Sequence, residues 1–140
     1  MLIFTNGCFD ILHVGHLQYL EQSRKLGDKL VVGLNSDASV RRLKGPTRPV
    51  NNQDDRKRML EAVRCVDEVV IFEEDTPYEL IKSIRPDIIT KGGDYEEANV
   101  VGFDLAKVVV LSYVACKSTT RILEHESCRK GMGSRRDLGL

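Results

Sequence analysis

Thr5-Asn6-Gly7-Cys8-Phe9-Asp10-Ile11-Leu12-His13-Val14-Gly15-His16 is the stretch on which the reading of this chain turns. A short apolar strand, Leu2-Ile3-Phe4, runs into it and ends in a glycine turn. Two histidines bracket Val14-Gly15, and an amphipathic stretch begins directly after them. This order sets two imidazoles and several free backbone N–H groups at the mouth of a helix. A helix start of that kind favours anions, phosphate above all. Gly15 lets a ligand come close to the backbone where a Cβ would block it. The first strand–helix unit therefore predicts a nucleotide phosphate site.

Working outward, apolar runs alternate with helical patterns. Residues 17–26 read as a helix with Leu17, Leu20 and Ser23 inward and Gly27 as its left-handed stop. Residues 30–34 read as a buried strand, and 40–44 as a short helical piece at best. Asn52 caps a helix over 53–64, with Met59, Leu60 and Val63 inward. A third strand covers 68–72. Thr76 caps a helix that starts at Pro77 and ends at Pro86. Further strands follow at 87–90 and 108–111, and Ser118-Thr119-Thr120 opens a last helix.

Continuous apolar strands separated by helices predict an α/β fold: a Rossmann-like, doubly wound parallel sheet of about five strands in three α/β/α layers. Its crossovers are right-handed. Ligands in such sheets bind beyond the carboxyl ends of the strands, at the switch point. The histidine turn, the Lys91-Gly92-Gly93-Asp94-Tyr95 loop and the Ser118-Thr119-Thr120 start each follow a strand closely, so all three should meet at one edge.

The domain is expected to span 1–126, with 127–140 a flexible or partner-docked tail of glycines and basic residues. With 140 residues, 30% charged and 41% hydrophobic, the chain has the make-up of a single soluble domain with a real core. The formal net charge is zero, which argues against bulk nucleic-acid or membrane binding. Its basic residues are clustered, however. Arg41, Arg42, Lys44 and Arg48 are interrupted by Gly45, Pro46 and Pro49, as a phosphate-contacting loop would be, and Arg56, Lys57 and Arg58 form a second group. Cys8, Cys65, Cys116 and Cys128 form no C-x-x-C pair and fit no zinc spacing. A strand beginning at once after Met1, the lack of any long apolar run and unpaired thiols lead to an expectation of a cytoplasmic protein without a leader.

The histidine turn is neither a G-x-x-x-x-G-K-[ST] loop nor a G-x-G-x-x-G turn. As zinc ligands, His13 and His16 lack a third partner. Imidazole N–H groups can instead donate to polyphosphate oxygens and stabilise charge on a phosphorus under attack.

The Gly7-Cys8-Phe9-Asp10 turn with His13-Val14-Gly15-His16 resembles the nucleotidyltransferase superfamily that carries an H-x-G-H signature. Ser118-Thr119-Thr120 resembles its second signature, an S-T-T helix start. Three further stretches resemble the adenylyltransferases that activate heptose 1-phosphate for bacterial surface polysaccharide. They are Asn35-Ser36-Asp37-Ala38-Ser39, Arg42-Leu43-Lys44-Gly45 leading to Thr47-Arg48-Pro49-Val50-Asn51, and Lys91-Gly92-Gly93-Asp94-Tyr95.

The resemblance implies that Gly7, Cys8, Phe9, Asp10, His13, Gly15 and His16 hold the nucleotide, Cys8 through its backbone. Lys91, Gly92, Lys117, Ser118, Thr119 and Thr120 would join them. His13, His16 and Lys44 become the catalytic candidates, and Lys44, Arg56 and Asp94 the residues for the phosphorylated substrate. Two plainer roles stay open: Asp10 as a turn cap and Lys91 as a solvated side chain. The chain departs from the pattern at Tyr113, where some relatives carry an arginine; Lys117 is the nearby cation. The implied reaction moves AMP from ATP to a sugar 1-phosphate, with Mg2+ carried on the nucleotide phosphates and no metal held by the protein itself. A homodimer is implied as well. Two alternatives stand beside it: a cytidylyltransferase using CTP and glycerol 3-phosphate, and a non-catalytic nucleotide-binding module.

Overall fold

The structure, a computed structural model, describes residues 1–93 and 99–111. The elements in chain order are β1 (Leu2–Gly7), α1 (Val14–Arg24), β2 (Lys29–Asn35), α2 (Asp37–Lys44), α3 (Gln53–Glu61), β3 (Glu68–Phe72), α4 (Tyr78–Ile84), β4 (Ile88–Gly92) and β5 (Lys107–Leu111). The five strands form one sheet in the order β3-β2-β1-β4-β5, and every pairing is parallel. The chain builds outward from β1 to β3, then returns to the other side of β1 to lay down β4 and β5. The switch point thus falls between β1 and β4, where open α/β sheets collect ligands.

Both faces of the sheet are covered, as the unbroken apolar strands require. On one face Ile3, Leu30, Val32 and Leu34 pack with Phe9, Tyr19 and Leu20 and with Leu60 of α3. On the other, Phe4, Val31, Ile89 and Val108 pack with Ile81 of α4 and with Val100. The expected doubly wound, three-layer fold is present. The proposed tail, 127–140, lies outside the described residues. Among those residues, no helix is long and apolar enough to cross a membrane.

Several local expectations are corrected. α1 begins at Val14, not Leu17, and Leu17 is exposed while Tyr19 is buried. Gly27 is not a left-handed stop. A Cβ there would lie 2.5 Å from the Met1 carbonyl oxygen, so it is close packing against β1 that demands glycine. α2 is a full helix, started by Ser36, whose side chain accepts from Ser39 N. Asn52 does cap α3, but that helix ends at Glu61 and Met59 faces solvent. α4 starts after Pro77 with no side-chain cap from Thr76, and the left-handed Arg85 ends it.

A buried polar cluster ties α1 to the two strands at the switch point. Tyr19 Oη lies 2.7 Å from Thr5 Oγ1 of β1 and donates to Thr90 Oγ1 of β4 at 3.2 Å. Ser23 Oγ lies 2.9 Å from the same Thr90 hydroxyl. Burial pushes the Tyr19 phenol from its ordinary value near 10 up to about 12, against the lowering effect of these hydroxyls. An unfolded Tyr19 therefore ionises across a window where the folded one does not. The stability this gives is complete below pH 10 and is lost as the pH rises toward about 12. Urea unfolding at stepped alkaline pH should show that loss in the wild type and a flatter profile in Tyr19→Phe. Equal slopes would place the phenol in contact with solvent.

Candidate active site

The site is built on the turn that joins β1 to α1. Phe9 takes a left-handed backbone there, with φ 44°, a conformation unfavourable for a bulky residue and typical of functional turns. Its ring meets the His16 ring edge-on, centroids 5.4 Å apart. His13 is the N-cap of α1, and His16 sits three residues on in the first turn. Each histidine caps the other's segment. His13 Nδ1 accepts from Gly15 N at 3.1 Å, and His16 Nδ1 accepts from His13 N at 3.3 Å.

This reciprocal cap does in imidazole what Ser and Glu do in an ordinary capping box. Its chemical consequence is a fixed tautomer. With both Nδ1 atoms accepting, each neutral ring carries its proton on Nε2, at the edge facing away from the helix backbone. The rings lie 3.8 Å apart between centroids and tilted by 31°, so two N–H donors are set side by side at a helix start. His16 is almost wholly buried, which holds its ring in place.

Lys91, next to last in β4, stands at the same sheet edge, because β4 pairs with β1 in parallel. Its ammonium is held below the usual lysine range, first by burial and then by the charge of Lys44, while Cys8 opposes the shift. Lys91 is half-buried. Lys44 is the last residue of α2. A cleft of about 200 Å³ opens at this edge, lined by Asn6, Asn35 and Lys91 at the strand ends together with Leu43, Thr76 and Asn99. The cleft and the histidine turn share β1: Asn6 lines the one and Gly7 leads into the other.

Two expected contacts take other roles. Arg56 does not reach out to a substrate. It is buried, and its guanidinium donates to the carbonyls of Cys8 and Asn35 at 2.8 Å each, to that of Asn51 at 2.9 Å, and to Asp37 Oδ1 at 2.9 Å. It stitches the ends of β1 and β2 to the start of α3. The Asp10 carboxylate is likewise occupied within the protein, accepting from Val50 N at 2.7 Å, Asn51 N at 2.9 Å and Arg48 Nε at 3.2 Å. It clasps residues 48–51 against the β1–α1 turn. The Cys8 thiol is buried, and its carbonyl serves Arg56.

Gly7, Cys8, Phe9, His13, Gly15 and His16 are thus brought together on one turn, with Lys91 and Gly92 on the neighbouring strand. Asp94, Lys117, Ser118, Thr119 and Thr120 lie outside the described residues. Among the described residues, no three His, Cys, Asp or Glu side chains converge to hold a metal ion. Arg48 was legible as one of a basic cluster and as part of the 47–51 stretch; nothing in the sequence paired it with Asp10, 38 residues away.

Residues 4–131 match the model of the Cytidylyltransferase-like family. Among curated proteins, the "Bifunctional protein HldE" of a Nitratiruptor species is 60% identical over 129 residues, covering 91% of this chain and 28% of that protein. The protein of the same name from Wolinella succinogenes is 56% identical over 124 residues, covering 88% of this chain and 26% of its own length. The chain therefore spans little more than a quarter of these relatives. Among solved structures, the lipopolysaccharide core biosynthesis protein from Thermoplasma volcanium superposes with TM-score 0.69 at 28% identity, over 81% of this chain and 96% of that one. Pantothenate synthetase from Thermus thermophilus, at 17% identity and TM-score 0.64 over 94% of this chain and 64% of that one, shares the fold.

Proposed function

The chain belongs to the cytidylyltransferase-like family, and from that premise we propose that it transfers AMP from ATP to a sugar 1-phosphate, heptose 1-phosphate in particular, releasing pyrophosphate. The observation that carries this reading is the reciprocal histidine cap at the switch point, which sets two Nε2–H donors beside the first turn of α1. The identity to proteins named HldE and the likeness to a lipopolysaccharide core biosynthesis protein support the choice of acceptor.

The reaction is a direct displacement. An oxygen of the sugar phosphate attacks the α-phosphorus of ATP; the new P–O bond forms as the α–β bridging bond breaks, and pyrophosphate leaves with the electron pair. The attacking group is already an anion, so no base and no covalent enzyme intermediate are required. The protein's part is positioning and charge stabilisation. His13 and His16 donate to phosphate oxygens as charge builds on them. Lys44 and Lys91 offset the charge of two phosphorylated substrates. Magnesium enters as part of the substrate, riding on the triphosphate.

Lys44→Ala should raise KM for the anionic substrates roughly tenfold or more, as expected for losing a charge-assisted contact of about 1.5–3 kcal/mol, with a smaller effect on kcat. A change in melting temperature alone would make Lys44 structural. The reading as a whole is tested by pyrophosphate release from ATP and from CTP against a panel of sugar and polyol phosphates. Release with ATP and heptose 1-phosphate supports it. Release only with CTP and glycerol 3-phosphate would replace it with a cytidylyltransferase, and nucleotide binding without release from any pair would leave a non-catalytic module.

A further inference from the structure

Arg48 carries a buried nitrogen that the fold leaves without a partner. Its Nε donates to Asp10 Oδ2 at 3.2 Å, and the Asp10 side chain is completely buried. Asp10 is itself held by Val50 N and Asn51 N, and its own carbonyl accepts from Asn51 Nδ2 at 2.8 Å. One edge of the guanidinium is thus fixed against the turn that carries Phe9 and the histidines. The Arg48 side chain is only 18% exposed, and its buried Nη2 has no hydrogen-bond partner among the described residues.

An ion pair that serves only as a clasp accounts for Nε and not for Nη2. Leaving a buried donor unpaired costs about 1–3 kcal/mol, more for a charged group. Folded proteins seldom keep such a group without a use for it. The planar guanidinium fork suits a phosphate or carboxylate oxygen, and this one stands on the loop that lies over the β1–α1 turn.

We propose that Arg48 is a phosphate-binding residue of this site and that Asp10 is the residue that positions it. The inference rests on the nucleotidyltransfer reading for the source of the phosphate, which is either the triphosphate or the acceptor. Titration calorimetry on the intact chain separates the two, with ATP and heptose 1-phosphate each added alone. In Arg48→Gln, affinity for at least one of the two should fall tenfold or more, and the ligand that loses affinity names the source. Arg48→Lys should recover part of the loss, because it restores the charge without the fork. A role confined to the clasp would lower the melting temperature and leave both affinities intact.

Affinities of Arg48→Gln within twofold of wild type for both ligands would overturn the inference while leaving the nucleotidyltransfer reading in place. If Arg48→Gln does not fold, Arg48→Lys decides: a loss of threefold or more at an unchanged melting temperature supports the inference, and wild-type affinity overturns it. If the wild type binds neither ligand, the reading and the inference fall together.

Discussion

His16→Ala is expected to lower kcat for pyrophosphate release by about a hundred- to a thousandfold, the usual effect of removing one preorganised donor from a developing oxyanion. The cap fixes this donor. His13 N donates to His16 Nδ1, so the neutral ring must carry its proton on Nε2. Burial and the edge-on Phe9 ring hold that donor in place before substrate arrives. Such a donor needs no reorganisation during reaction, which is why its loss should fall on turnover more than on binding. The same substitution removes one capping bond, with a stability cost of about 1 kcal/mol. A modest fall in melting temperature should therefore accompany a large fall in kcat. Undiminished turnover would reduce His16 to a helix cap.

The largest stability effect is expected at Arg56. Arg56→Ala takes the donor away from three backbone carbonyls and the Asp37 carboxylate at once, in a place where the guanidinium is fully buried. Breaking one side of a buried charged cluster costs about 3–5 kcal/mol. For a chain of this size that corresponds to a drop of roughly 10–17 °C in melting temperature. Arg56→Lys should rescue little of it, since an ammonium cannot span acceptors on three separate segments. Because Arg56 ties Cys8 to Asn35 and Asn51, the surviving folded protein should also bind nucleotide more weakly. Thermal unfolding followed by circular dichroism checks the first part. A melting temperature within about 2 or 3 °C of wild type would show that the network contributes little.

The strands were legible because the sheet is covered on both faces and they read as apolar runs, as in Leu30-Val31-Val32 and Val69-Val70-Ile71-Phe72. The turn that carries the candidate site was legible as well: the sequence sets Gly7 and the two histidines between a strand and a helix, and the structure has them between β1 and α1. What escaped was decided at long range. Pattern alone starts α1 at Leu17 instead of Val14 because histidine is an unusual cap, and its role depends on Nδ1 geometry that no propensity records. Gly27 answers to the Met1 carbonyl, a contact between chain segments rather than a property of the helix. Arg56 and Asp10 carry side chains that would suit substrate as well as they suit backbone. Only the tertiary arrangement, which brings Cys8 and Asn35 to the one and residues 48–51 to the other, separates the two uses. The Thr5–Tyr19–Thr90 cluster joins residues 85 positions apart and has no local signal.

The decisive measurement is a crystal structure of the chain grown with a non-hydrolysable ATP analogue. The triphosphate is expected at the start of α1, with the α-phosphate within hydrogen-bonding reach of His16 Nε2 and the phosphate chain extending toward Lys44 and Lys91. A nucleotide lodged elsewhere on the molecule, with both imidazoles out of reach of any phosphate oxygen, would contradict it.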